Sequence, residues 1–163
     1  MYSNINGSVA TAMLSSALAY CQEKVGRKEA FGLLKRNECN AIEYFRFGLA
    51  KQVGTCLGEN SEFVKYVYLY PDTPDEDPIL TLPLTLIVYV EKHTAALDSI
   101  VDLLQNTLLE EYRVMFAPTT DCLNVFLNIY LIDTTELAKR KGMAASIGAL
   151  FKPAFRAWSR IET

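Results

Sequence analysis

The stretch that decides the fold is Leu80–Glu91, LTLPLTLIVYVE. Leu82, Leu84, Leu86, Val88 and Val90 fall on one face and Thr81, Thr85, Ile87, Tyr89 and Glu91 on the other, the period of two expected of a strand. Pro83 has no N–H to give a ladder and belongs near the strand's start. From Leu86 to Val90 both faces are apolar. This predicts a central strand covered on two sides, by helices or by a helix and a neighbouring subunit.

On the C-terminal side, Leu97, Ile100, Val101, Leu104 and Leu108 recur at helical spacing, so a helix is expected from Thr94, its N-cap, to about Tyr112, with Asp98 in the first turn suiting the helix dipole. APTTD then makes a turn, and Cys122–Ile132 reads as a further strand. That strand carries Leu123, Val125, Leu127, Ile129 and Leu131 on one face and Asn124, Phe126, Asn128 and Tyr130 on the other. Asp133 or Thr134 caps a last helix, expected to run past Gly142 and bend at Pro153.

On the N-terminal side, the proline- and acid-rich loop Pro71–Ile79 separates the central strand from a first strand, Glu62–Tyr70, EFVKYVYLY. Three helices precede it. The first is expected over Ser8–Val25, with Val9, Met13, Leu14, Ala17, Leu18 and Cys21 as its stripe and Gly26 as its stop. A short piece, EAFGLLKR, follows, and Asn40 with Glu43 reads as a capping pair for a helix from Ala41 to about Leu57, Gly58 lying beyond its end. Gly48, Gly54 and Gly58 are then explained by close helix packing. The expected fold is α/β or α+β, a single domain over residues 1–163 in which a small mixed sheet of three or more strands packs against about five helices.

The 163 residues are enough for one core, and 50% hydrophobic with 21% charged residues is an ordinary globular balance. A net charge of −3 argues against general nucleic-acid affinity. No apolar run is long enough to span a bilayer, and the first residues lack a basic leader and are spaced for a helix. Cys21, Cys39, Cys56 and Cys122 form no CxxC pair and have only His93 to join them, so neither a zinc site nor any cofactor is expected. Scattered cysteines in a core of this size are expected to be reduced, which makes the cytoplasm the default compartment.

Asp72, Asp75, Glu76 and Asp77 offer carboxylate oxygens to a divalent cation, but without the glycine and distal glutamate of an EF-hand they read as a solvated turn. His93 sits between a strand and a helix, where catalytic groups emerge in α/β folds, and reads more simply as an exposed helix-start residue. GxSxG, Walker A and GxGxxG motifs are all absent. No catalytic residue is assigned.

The most distinctive surface feature is the tail. Lys139, Arg140, Lys141, Lys152, Arg156 and Arg160 stand against Glu162 alone, giving residues 139–163 a net +5 and leaving −8 on the first 138. Met143, Ile147, Leu150, Phe151, Phe155 and Trp158 form an apolar face on the same segment if it is helical. Such a helix suits an anionic membrane or a partner's groove, or simply covers the sheet, which is the favoured reading. Phe151, Phe155, Arg156, Trp158 and Arg160 are the interaction candidates.

The order helix, strand, acidic loop, strand ending LIVYVE, helix, strand ending NIYLID, then TELAKRKG resembles the nucleotidyltransferase fold typified by DNA polymerase β, over Ala41–Gly142. The resemblance implies a Gly-Ser after the first strand, two acids opening the second and a third acid on a later strand, together holding Mg²⁺. Here Tyr70-Pro71 ends the first strand, Pro83, Leu84, Thr85 and Leu86 stand where the paired acids belong, and the later strand offers Asn124 and Asn128. Leucine, threonine and asparagine do not neutralise developing phosphate charge, so a two-metal mechanism lacks its carboxylates. The expected function is a non-enzymatic binding or regulatory module. Tyrosines, the two-sided apolar strand and the aromatic tail point to a protein partner or a second copy, a homodimer. The competing readings are a nucleotide-binding or nucleotidyltransferase-like enzyme using the acidic loop, and a protein attached to a membrane surface or a partner by its tail.

Overall fold

The computed structural model describes residues 5–70, 78–140, 142–147 and 154–161. Helices α1 (Gly7–Val25), α2 (Ala30–Lys35) and α3 (Cys39–Asn60) precede strands β1 (Val64–Leu69) and β2 (Leu84–Val90). Helix α4 (Ala95–Met115), strand β3 (Leu127–Ile132), helix α5 (Thr134–Lys139), a 3₁₀ turn at Gly142–Ser146 and strand β4 (Phe155–Ser159) complete the order. The strands form one mixed sheet in the order β3-β2-β1-β4. β2 is antiparallel to β1 and parallel to β3, while β4 is antiparallel to β1. This is the expected α/β domain, with a fourth strand in place of a long last helix.

β2 is central, as its alternation requires. Leu84, Leu86, Val88 and Val90 face α3 and α4 in the main core, and Ile87 on the opposite face is also fully buried. Ile87 and Ile132 are covered by Leu137, Met143, Ala144, Ile147 and Ala154. The chain itself therefore supplies the second cover. Helix α1 packs across α3 and α4, making a further layer on the helical side.

Helix ends follow local chemistry. Asn6 accepts from Val9 N at the start of α1 and Gly26 closes it at φ 73°. Thr94 caps α4 through Leu97 N, and Asp133 caps α5 through Glu136 N. α3 departs from expectation: it starts at Cys39, and its cap is Glu38, which accepts from Ala41 N at 2.7 Å, not Asn40. Asn37 turns the chain at φ 56° and spends its side-chain oxygen on Leu80 N, so Glu38 is already extended and placed to cap. α3 also continues through Gly58 to Asn60.

β3 is shorter than its sequence pattern. Its first expected residues bend, and Phe126 turns to the core to stack on Tyr112, with ring centroids 3.6 Å apart and planes at 11°. The entry to β2 is pinned in the same region. Leu80 O accepts from Tyr112 Oη at 2.7 Å, and Arg46, 6% exposed, donates to Ile79 O and Leu82 O.

The main correction concerns the tail, which is not one amphipathic helix. α5 stops at Lys139, Arg140 adopts a left-handed conformation, and Phe155–Ser159 pairs with β1. The membrane- or groove-docking helix expected there is thus replaced, over the described residues, by a short helix, a 3₁₀ turn and an edge strand. Phe155, Trp158 and their neighbours fit helical spacing as well as extended backbone. The unpaired edge of β1 decides between them, because buried N–H and C=O groups need partners. Trp158 then lies over the small faces of Gly54 and Gly58, where a Cβ on Gly54 would come within 2.3 Å of the Trp158 ring. Gly48, by contrast, makes room for Tyr20 of α1, which is the helix packing expected of it. Arg160 Nη2 donates to Gly58 O at 2.8 Å and Ser61 O at 2.7 Å, and its Nε donates to Val64 O at 2.9 Å, satisfying carbonyls at the end of α3.

Two stability effects are expected. Gly54→Ala should destabilise the fold by about 2 kcal/mol or more through overpacking. In urea denaturation the penalty should shrink sharply when Trp158→Leu is combined with it, a non-additivity that independent sites do not give. Tyr112→Phe should cost about 1 kcal/mol by leaving Leu80 O unpaired.

Candidate functional site

The sequence candidates separate into three groups. Asp72, Asp75, Glu76, Asp77 and Phe151 lie outside the described residues. Trp158 and Arg160 are spent inside the fold, as the packing on α3 shows. Phe155, 60% exposed, and Arg156 remain at the surface.

His93 stands before α4, with Nε2 2.7 Å from Asp98 Oδ1 and both side chains exposed. The open cleft of about 300 Å³ between the end of α3 and the start of α4 is lined by Asn60, Ser61, Glu62, Phe63, Thr94, Ala96, Leu97 and Ile100. Three residues of its lining are engaged in local structure: Asn60 donates to Cys56 O, Ser61 Oγ accepts from Phe63 N, and Thr94 caps α4. Among the described residues no group of three or more His, Cys, Asp or Glu side chains lies close enough to hold a metal ion. The positions at which the nucleotidyltransferase resemblance asks for acids carry none: Leu84 and Leu86 are buried in the core, and Thr85 pairs with Asn128 across β2 and β3. Asn124 sits apart, exposed in the bend before β3.

The sheet face away from α3 and α4 gathers groups that are far apart in sequence. Tyr66, Tyr68 and Tyr70 alternate along β1 and its end, which sends all three to one side. Register places Tyr89 opposite Tyr66, Ile87 opposite Tyr68 and beside Tyr130, and Arg156 beside Tyr68 on β4. The Tyr66 and Tyr89 rings stack with centroids 5.9 Å apart and planes at 14°, and the Tyr66 and Tyr68 rings lie 6.2 Å apart. Arg156 Cζ is 5.5 Å from the Tyr66 ring centroid, within cation–π range. Tyr89 Oη is 3.2 Å from Thr134 Oγ1. Partial burial pushes the Tyr68 phenol above its ordinary value, Arg156 pulls it back, and Tyr66 and Tyr89 add to the rise.

The i, i+2, i+4 tyrosines of YVYLY mark this face in the sequence. Their meeting with Tyr89 and Arg156 is a matter of strand pairing, which the sequence pattern does not fix. Both edges of the sheet are guarded. Gln105 Oε1 of α4 accepts from Ile129 N on β3, and β4 carries a register irregularity and Arg156. Among the described residues, no helix is long and apolar enough to cross a membrane. Comparison with family models, curated proteins and solved structures finds no match.

The cysteines are free, and their environments differ. Burial, then Glu59, pushes the Cys56 thiol up to about 11, and burial with Glu38 raises Cys21, whereas Cys122 is exposed. Cys122 should therefore react quickly with a thiol reagent at about pH 8 while Cys56 and Cys21 stay unlabelled in the native state. The folded protein holds the Cys56 proton more tightly than the unfolded chain does. Its contribution to stability is then full below pH 9.0, the ordinary thiol value, and is lost as pH rises through about 11. Cys56→Ala should flatten that part of the alkaline loss in denaturant titrations.

Proposed function

We propose that the chain is a non-enzymatic binding module whose recognition surface is the tyrosine-bearing face of the sheet, and that a second copy of the chain is one of its partners. The observation that carries this reading is the cluster of Tyr66, Tyr68, Tyr89 and Arg156, half-buried to exposed on a rigid sheet. Tyrosine and arginine are the side chains that supply contact area and directed hydrogen bonds at interfaces for little conformational cost. The C-terminal segment seals the Ile87–Ile132 half of the same face and leaves these polar rings at its border.

Guarded edges favour association through side chains over extension of the sheet. Exposed Tyr130 on β3, 46% accessible and beside Ile87 on the same face, extends the contact available to a partner. Sedimentation equilibrium across micromolar to hundreds-of-micromolar concentrations tests the reading. Reversible dimerisation is expected, weakened by Arg156→Glu or by Tyr68→Ala while circular dichroism stays unchanged. A protein that remains monomeric throughout loses the second copy as its partner.

A further inference from the structure

We propose that Tyr66, Tyr68, Tyr89 and Arg156 form an oxyanion site that takes a phosphate group. The inference rests on the reading of this face as a recognition surface and adds the chemistry of what is recognised. Tyr66 and Tyr89 are directly paired on antiparallel strands with nearly parallel rings, so their phenol oxygens stand on the same side of the sheet. Tyr68 lies two residues along the same face, its ring 6.2 Å from Tyr66. Arg156, paired with Tyr68 across β1 and β4, brings a guanidinium over Tyr66.

The cluster is rich in donors and poor in acceptors. A phenol donates one hydrogen bond, and a guanidinium lying over a ring keeps its N–H edge free for an anion. Among the described residues, no carboxylate forms an ion pair with Arg156; Glu91, which follows β2, pairs with Lys65 at 3.4 Å. Thr134 steadies the Tyr89 hydroxyl and leaves it able to donate when the threonine proton lies between them. Strand pairing sets Arg156 beside Tyr68, and its charge favours the ionised form of that phenol.

Such a site suits a ligand that only accepts, carries negative charge and offers several oxygens. A phosphate group meets all three conditions: two oxygens take the guanidinium fork and the others reach the phenols. The shared chemistry is the phosphate itself, whether free, on a phosphorylated side chain, on a nucleotide or on a lipid headgroup.

The test titrates inorganic phosphate into the full chain at fixed ionic strength, with chloride as the control, followed by amide and arginine Nε–H resonances. Saturable shifts at Tyr66, Tyr68 and Arg156 are expected. Arg156→Gln should weaken binding by about tenfold or more, Arg156→Lys should restore part of it, and Tyr68→Phe should cost several-fold. Arg156 is exposed, so its variants should fold, with circular dichroism as the check. Shifts that rise linearly without saturating, that chloride reproduces, or that survive Arg156→Gln unchanged overturn the site. Phosphoserine, a nucleoside monophosphate and vesicles containing phosphatidic acid, compared on the same resonances, identify the source by whichever binds more tightly than phosphate alone. Failure here leaves the concentration-dependent association measured by sedimentation standing, so the two ideas fall separately.

Discussion

Burial of both faces of β2 is the constraint from which the rest of the architecture follows. Val88 on one side and Ile87 on the other are fully removed from solvent, so the strand needs two covers and a hydrogen-bonding neighbour along each edge. Apolar burial is worth roughly 25 cal/mol per Å², which makes leaving either face in water expensive for a domain of marginal net stability. α3 and α4 meet the first requirement. The second falls to the C-terminal segment, through Leu137, Met143, Ala144, Ile147 and Ala154.

That demand explains the division of labour in the tail. Described residues of α5, of the 3₁₀ turn and Ala154 cover the second face of the sheet, and Phe155–Ser159 forms its fourth strand, so cover and edge pairing both come from the C-terminal part of the chain. Trp158 and Arg160 together fix its end: the ring lies against Gly54 and Gly58, and the guanidinium binds the carbonyls of Gly58, Ser61 and Val64. Glycines that look like helix-packing positions in the sequence are the floor of an indole site. Residues that look like a docking motif are structural fasteners. What stays at the surface from that motif is Phe155 and Arg156, and only Arg156 stands on the polar aromatic face.

Local polar chemistry does comparable work at the front of β2. Asn37, Arg46 and Tyr112, from three separate parts of the helical layer, bind the backbone of Ile79–Leu82 and set where the strand begins. This accounts for the strand starting at Leu84 although the alternation begins earlier: carbonyls that accept from side chains are turned away from the ladder. Tyr112 serves the core twice, stacking on Phe126 and hydrogen-bonding to Leu80, which explains a phenol pushed well above its ordinary range by burial.

By itself the sequence determined the elements whose signal is local and redundant. The alternation of Leu84–Val90, the α4 stripe with its Thr94 cap, the Gly26 stop and a helix start at Asp133 or Thr134 each rest on residues within a few positions of one another, so period and capping chemistry were sufficient. The tertiary structure alone decided whether Phe155–Ser159 is helix or strand, because its apolar spacing fits both and the unpaired edge of β1 lies about ninety residues away in sequence. It also decided the candidate site. Tyr66, Tyr89 and Arg156 belong to three strands, and a shift of one residue in either pairing would send a member to the opposite face. Register is set by what the whole core buries, and that sum is not written in any single stretch of the chain.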